Sequence, residues 1–273
     1  MALFGPKLPI DEDELSFQLA TFKWLGDQFG PVTPETPLVT PTRQWFTGKR
    51  PRDDDEMRTL FDEVRTAAGM ADWPCELKAG ETSPPVDAGN AVLIQHEGPG
   101  APCGTFEMRE ADGGLSEADG ANQALITYDP AMMDDPEGLI GTFAHELGHY
   151  LLASATATPP GGWDLHELHT DLAAVYLGFG IFMANGAKAF RTVEVVGGAG
   201  WQMSLRGYLS EAALVTALAI VERLAGRDPR AAAGFLKDYL RKDLNRATWV
   251  LERRHSARRQ RWPQSILPTS PDA

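Results

Sequence analysis

Cysteine is scarce: only Cys75 and Cys103 occur in 273 residues. Neither belongs to a Cys-x-x-Cys pair, which excludes a disulfide scaffold, a zinc ribbon and dithiol redox chemistry; both read as buried free thiols. Positive charge is also short, with 25 Lys and Arg against 38 Asp and Glu, a net charge of −13. That balance opposes nonspecific attraction to polyanions, so no nucleic acid partner is expected. Long apolar runs are missing. The longest, Leu172 to Ala184, has 13 residues, well short of the roughly 20 that cross a hydrocarbon core, so no membrane span is expected. The first residues carry Pro6, Pro9 and four acids from Asp11 to Glu14. That is not the cationic-then-apolar pattern of a secretory leader, and the expected location is cytoplasmic.

What remains is the balance of an ordinary globular chain, 43% apolar and 23% charged. Leu15, Leu19, Phe22, Leu25 and Phe29 recur at helical spacing until Gly30-Pro31 stops them. Five prolines between Gly30 and Pro51 predict an extended connector wrapping the surface. A second helix opens at the acids Asp53 to Glu56. Short apolar runs follow at 75–79, 91–96, 104–108 and 123–128, separated by Gly, Pro and Asp, as in strands and turns. Asp135-Pro136-Glu137 then starts a helix through Leu152, and Asp164 caps a long one reaching Met183. A hairpin within 191–209 and helices at 211–224 and 229–254 complete the reading. The expected fold class is α+β, a small N-terminal sheet with a backing helix followed by a mainly helical lobe. The expected division is 1–52 (helix and proline-rich connector), 53–262 (one domain) and 263–273 (disordered tail). One stretch runs against the overall charge. Between Arg241 and Arg261, eight bases face two acids, which reads as a solvated helix face against an acidic body.

The chemistry concentrates in His145-Glu146-Leu147-Gly148-His149 on the predicted helix 139–152. Imidazoles four residues apart share a helix face and can bind one Zn²⁺, with Glu146 directed at the open coordination position. A catalytic zinc needs a third protein ligand. The stretch Asp164-Leu165-His166-Glu167-Leu168-His169-Thr170-Asp171 offers several. Glu167 and Asp171 share a face with the small residues Ala174 and Gly178, which would let this helix approach the first closely. Glu167 is therefore the expected third ligand, and Asp171 the carboxylate that holds the distal N–H of a zinc histidine. His166 and His169 remain alternative third ligands. Glu167 could instead close a capping box with Asp164. His96 and His255 read as surface or packing residues.

These residues resemble the gluzincin branch of the zinc metallopeptidases, in which the HExxH helix is followed by a helix bearing Glu-x-x-x-Asp, often with Ser or Thr before the Asp. Here the second motif is Glu167-Leu168-His169-Thr170-Asp171. The resemblance covers about Gln123 to Met183. It implies a zincin-like fold with an edge strand above the metal that pairs with an extended peptide, and 123–128 stands in that place. It also implies a Tyr or His donor from the region after the metal helices, which makes Tyr208 the candidate for stabilising an oxyanion, with Arg206 beside it. The expected function is zinc-dependent peptide-bond hydrolysis of a peptide or protein substrate, with Glu146 as general base. The alternative is a zincin-like protein that binds zinc and a peptide or partner without general proteolytic activity.

Overall fold

The computed structural model describes residues 6–48, 50–80, 92–93, 104–109, 123–187 and 208–257. Helix α1 (Glu12–Phe29) begins where the Asp11 carboxylate accepts the Glu14 N–H at 2.8 Å, and Gly30 ends it. Its apolar face, Leu15, Phe22, Trp24 and Leu25, is buried. Helix α2 (Asp54–Ala67) is capped in the same way by Asp53 and buries Met57, Leu60, Phe61 and Val64. The connector between them does not simply wrap the surface: Val39 and Phe46 are core residues. It carries apolar side chains between its prolines, and burying them outweighs the cost of ordering an irregular chain. The parts read as 1–52 and 53–262 share one hydrophobic cluster running from Leu15 to Leu251.

Strands β1 (Cys75–Ala79), β2 (Val92–Leu93), β3 (Gly104–Arg109) and β4 (Gln123–Tyr128) form one sheet in the order β1-β4-β3-β2. β1 runs parallel to β4, whereas β3 is antiparallel to both β4 and β2. The segment 123–128 is therefore not an edge. β4 is hydrogen-bonded on both sides, as suits a strand that buries Ala124, Leu125 and Ile126 in succession. Tyr128 at its end donates its hydroxyl to Asp54 at 2.9 Å, tying the sheet to the first turn of α2.

Helix α3 (Pro136–Ala153) starts at Asp135, whose carboxylate caps the Gly138 N–H, with Pro136 in the first turn. It is buried from Gly138 to Leu152. The long helix expected from Asp164 to Met183 is divided. A single 3-10 turn at Trp163–Leu165 leads into α4 (His166–Ala174), a π-type turn spans Val175–Phe179, and α5 (Gly180–Gly186) follows. The break lies at Gly178, whose φ of +101° admits little but glycine. A Cβ there would fall 2.5 Å from the Pro37 carbonyl oxygen, and the Gly178 carbonyl accepts the Val39 N–H at 3.0 Å. Gly178 thus serves the connector, not the contact with α3 expected of it.

Helix α6 (Glu211–Leu224) follows its Ser210 cap, and a 3-10 turn at Pro229–Phe235 precedes α7 (Asp238–Ala257), so the helix expected over 229–254 is two elements. Of the bases of α7, Arg246 pairs with Asp243, Arg253 lies over the Trp249 ring and Arg254 pairs with Glu12 of α1. The architecture is α+β and mainly helical. Among the described residues, no helix is long and apolar enough to cross a membrane. The segments 188–207 and 258–273 lie outside the described residues, and with them Arg206, most of the expected hairpin and the expected tail. Cys103 and His96 lie outside them too.

Candidate metal centre

The centre forms where α3 crosses α4. Gly148 makes the crossing possible: a Cβ at that position would lie 2.9 Å from the Thr170 carbonyl oxygen and 3.1 Å from its methyl. With the helices this close, His145 and His149 on α3 face Glu167 on α4. Their Nε2 atoms stand 3.1 Å apart, and the Glu167 carboxylate lies 3.2 Å from that of His145 and 3.7 Å from that of His149. A triangle with these sides is circumscribed at a radius of about 2 Å, the length of a zinc–nitrogen or zinc–oxygen bond. The three residues can hold a metal ion between them.

The other nitrogen of each ring is committed elsewhere. His145 Nδ1 lies 3.1 Å from Asp171 Oδ1. His149 Nδ1 lies 2.8 Å from His166 Nε2 and 3.3 Å from the Thr170 hydroxyl, which itself donates to the His166 carbonyl. With Nδ1 held from outside, Nε2 of both rings is left facing inward, as in metal-bound histidines. Phe106 of β3 stacks on His149, centroids 6.2 Å apart and planes 10° from parallel.

Charge in the centre is concentrated and largely buried, with Glu167 partly exposed. His145, Glu146, His149 and Asp171 are each at most 4% exposed. Burial pulls the His145 ring toward neutrality, yet the carboxylates of Asp171 and Glu167 outweigh it and raise its pKa to about 10. The pocket therefore favours positive charge, which a divalent ion would supply. Burial pushes Glu146 up to about 7; the His145 charge works against this shift and Glu167 adds to it. Its Oε1 lies near Gly104 of β3, while its Oε2 is buried with no hydrogen-bond partner among the described residues. A buried orphan carboxylate oxygen is costly, and one beside a ligand cluster is suited to receive a water or substrate proton.

The structure brings together His145, Glu146, His149, Glu167 and Asp171. Glu167 does not serve as a helix cap: neither the Trp163–Leu165 turn nor α4 has a side-chain cap. His169 is turned away, fully buried against Phe17 and Trp24 of α1, with Nδ1 3.4 Å from the Thr21 hydroxyl. Burial lowers its pKa to about 4. Tyr208 lies over His145, ring centroids 5.5 Å apart and planes at 48°. Sequence reasoning did not foresee His166 as the partner of His149 Nδ1. A signal was available, since His166 and Thr170 are four apart on one helix and so present one face to α3. Nor did it foresee Phe106, or Trp163, whose half-exposed ring lies 5.7 Å from that of His166. No family model, curated protein or solved structure matches this chain.

Proposed function

We propose that the chain is a zinc-dependent peptide hydrolase of zincin type, built on the resemblance of its two motifs to the gluzincins. The observation that carries this reading is the convergence of His145 Nε2, His149 Nε2 and Glu167 around a point about 2 Å from each, with both Nδ1 atoms held from behind. Two nitrogens and one carboxylate suit zinc and leave room for a further ligand. Bound there, zinc would supply an acidified water and a Lewis acid for a carbonyl oxygen.

The chain's own residues divide the remaining work. Glu146 is buried with one carboxylate oxygen lacking a hydrogen-bond partner among the described residues, so a proton on that oxygen has no competing acceptor contact to displace. It can take a proton from the attacking water and return it to the leaving amine. Asp171 and His166 fix the tautomers and planes of the two ligand rings. The Tyr208 phenol is the nearest described donor of the type that the resemblance implies for the oxyanion. The burial of the centre strengthens each of these electrostatic contacts. β4, paired on both edges, is not available to align a substrate strand.

Metal analysis of the purified protein tests this. The wild type is expected to hold one zinc, lost in both His145→Ala and Glu167→Ala. Glu146→Gln is expected to keep the zinc while peptide hydrolysis falls by about 10²–10⁴-fold. Zinc retained at full occupancy in both ligand variants, or unchanged turnover in Glu146→Gln, overturns the reading.

A further inference from the structure

Asp171 has two carboxylate oxygens, and the structure uses them on opposite sides. Oδ1 meets His145 Nδ1 at 3.1 Å, whereas Oδ2 accepts the backbone N–H of Leu209 at 2.7 Å. Both residues are buried, so neither contact is replaced by water at no cost. The atoms from the Tyr208 Cα through the Leu209 N–H lie in one rigid peptide plane. A hydrogen bond to that N–H therefore fixes the Tyr208 Cα–C bond, the axis about which its side chain can still turn. One residue further on, Ser210 caps α6 by accepting the Ala213 N–H at 3.1 Å. Tyr208 is thus held between a helix start and a buried carboxylate, and its ring rests on His145, the other group that Asp171 holds.

We propose that Asp171 is a positioning residue for Tyr208 as well as for His145: one carboxylate sets both the ligand ring and the phenol beside it. This rests on the hydrolytic reading for the role of Tyr208, but its geometry stands apart from the metal. Asparagine separates the two tasks. It carries one acceptor oxygen and one NH2, and both facing groups are donors once His145 Nε2 is committed to a metal. In zinc-loaded Asp171→Asn the amide oxygen is expected to stay with the His145 Nδ1–H, as ring donors of metal-bound histidines require, which leaves the NH2 against the Leu209 N–H, donor to donor.

The test compares wild type with Asp171→Asn. In the variant, the Leu209 amide is expected to exchange at least tenfold faster, with the Ala213 amide unchanged, and the Tyr208 ring resonance, assigned with Tyr208→Phe, is expected to shift. At saturating zinc, on a reporter peptide that the wild type cleaves, Asp171→Asn is expected to lower kcat at least as much as Tyr208→Phe does. Adding Tyr208→Phe to Asp171→Asn is then expected to cost nothing more. Unchanged Leu209 exchange and an unmoved Tyr208 resonance overturn the proposal, as does an undiminished Tyr208→Phe effect in the Asp171→Asn background. If the variant does not fold, wild-type protein decides: a through-hydrogen-bond coupling between the Leu209 nitrogen and the Asp171 carboxyl carbon is expected, and its absence overturns the assignment. A wild type that binds no zinc or cleaves no peptide defeats the hydrolytic reading, while the wild-type coupling between Leu209 and Asp171 still decides this one.

Discussion

His166 shows how much a single side chain can matter without touching the metal position. Its Nε2 accepts from His149 Nδ1 once His149 Nε2 is a ligand, because that ring must then carry its proton on Nδ1. His166→Ala is expected to weaken zinc binding by about 10–100-fold in a competition titration, and His166→Gln to recover part of it, since an amide oxygen can take the same hydrogen bond. A second residue gives a pH signature. Glu14 is half-buried in the first turn of α1, and burial, with the Asp11 charge adding to it, pushes its pKa up to about 7. A raised carboxylic acid favours the folded state fully below its unfolded pKa near 4.5, and that contribution is lost as pH rises through about 7. The wild type is therefore expected to lose thermal stability relative to Glu14→Gln between about pH 5 and pH 8. The convergence of His145 and His149 was legible from spacing, because i,i+4 pairs share a helix face. His166 was not, because its role depends on how two helices cross, and spacing within one helix carries no crossing angle.

Among the elements, the sequence reading located the starts of α1, α2, α3 and α6 closely, whereas the cap expected at Asp164 is not formed, since α4 has no side-chain cap. Asp11, Asp53, Asp135 and Ser210 each accept the N–H three residues on, a local event that neighbouring residues decide. Pairing order in the sheet and the break after α4 are decided by distant chain. β4 was expected at an edge, but its continuous apolar run is that of an interior strand. The α4–α5 break was hidden because an apolar run with one glycine reads as helix until the Pro37 carbonyl is seen against it. Gly178→Ala is accordingly expected to cost about 2 kcal/mol or more in chemical denaturation, combining a positive φ with a backbone clash. Gly148→Ala tests the other close approach. It is expected to cost about 1–3 kcal/mol by separating α3 from α4, and to weaken zinc binding as well because the ligands sit on both.

For the whole molecule, an ion pair on a buried carboxylate adds to the contacts that hold the connector. Glu222, 1% exposed, takes two hydrogen bonds from Arg227, at 2.8 and 2.7 Å, and the same guanidinium donates to the carbonyls of Pro34 and Thr36. Removing Arg227 strands a buried carboxylate and the Pro34 and Thr36 carbonyls, so Arg227→Ala is expected to cost about 1–3 kcal/mol or more in a denaturant melt. Replacing both with well-packed apolar residues is expected to recover most of the loss. This long-range clamp was invisible in the sequence, where no spacing relates Arg227 to the connector carbonyls at Pro34 and Thr36. The groups of the metal centre, by contrast, come almost entirely from one short stretch, His145 to Asp171. A cation seated there would act as a staple across a loop of only about twenty residues, whose ends meet at small entropic cost. The two helices could thus be joined while the rest of the polypeptide is still emerging from the ribosome, making ion capture an early step of assembly rather than its last.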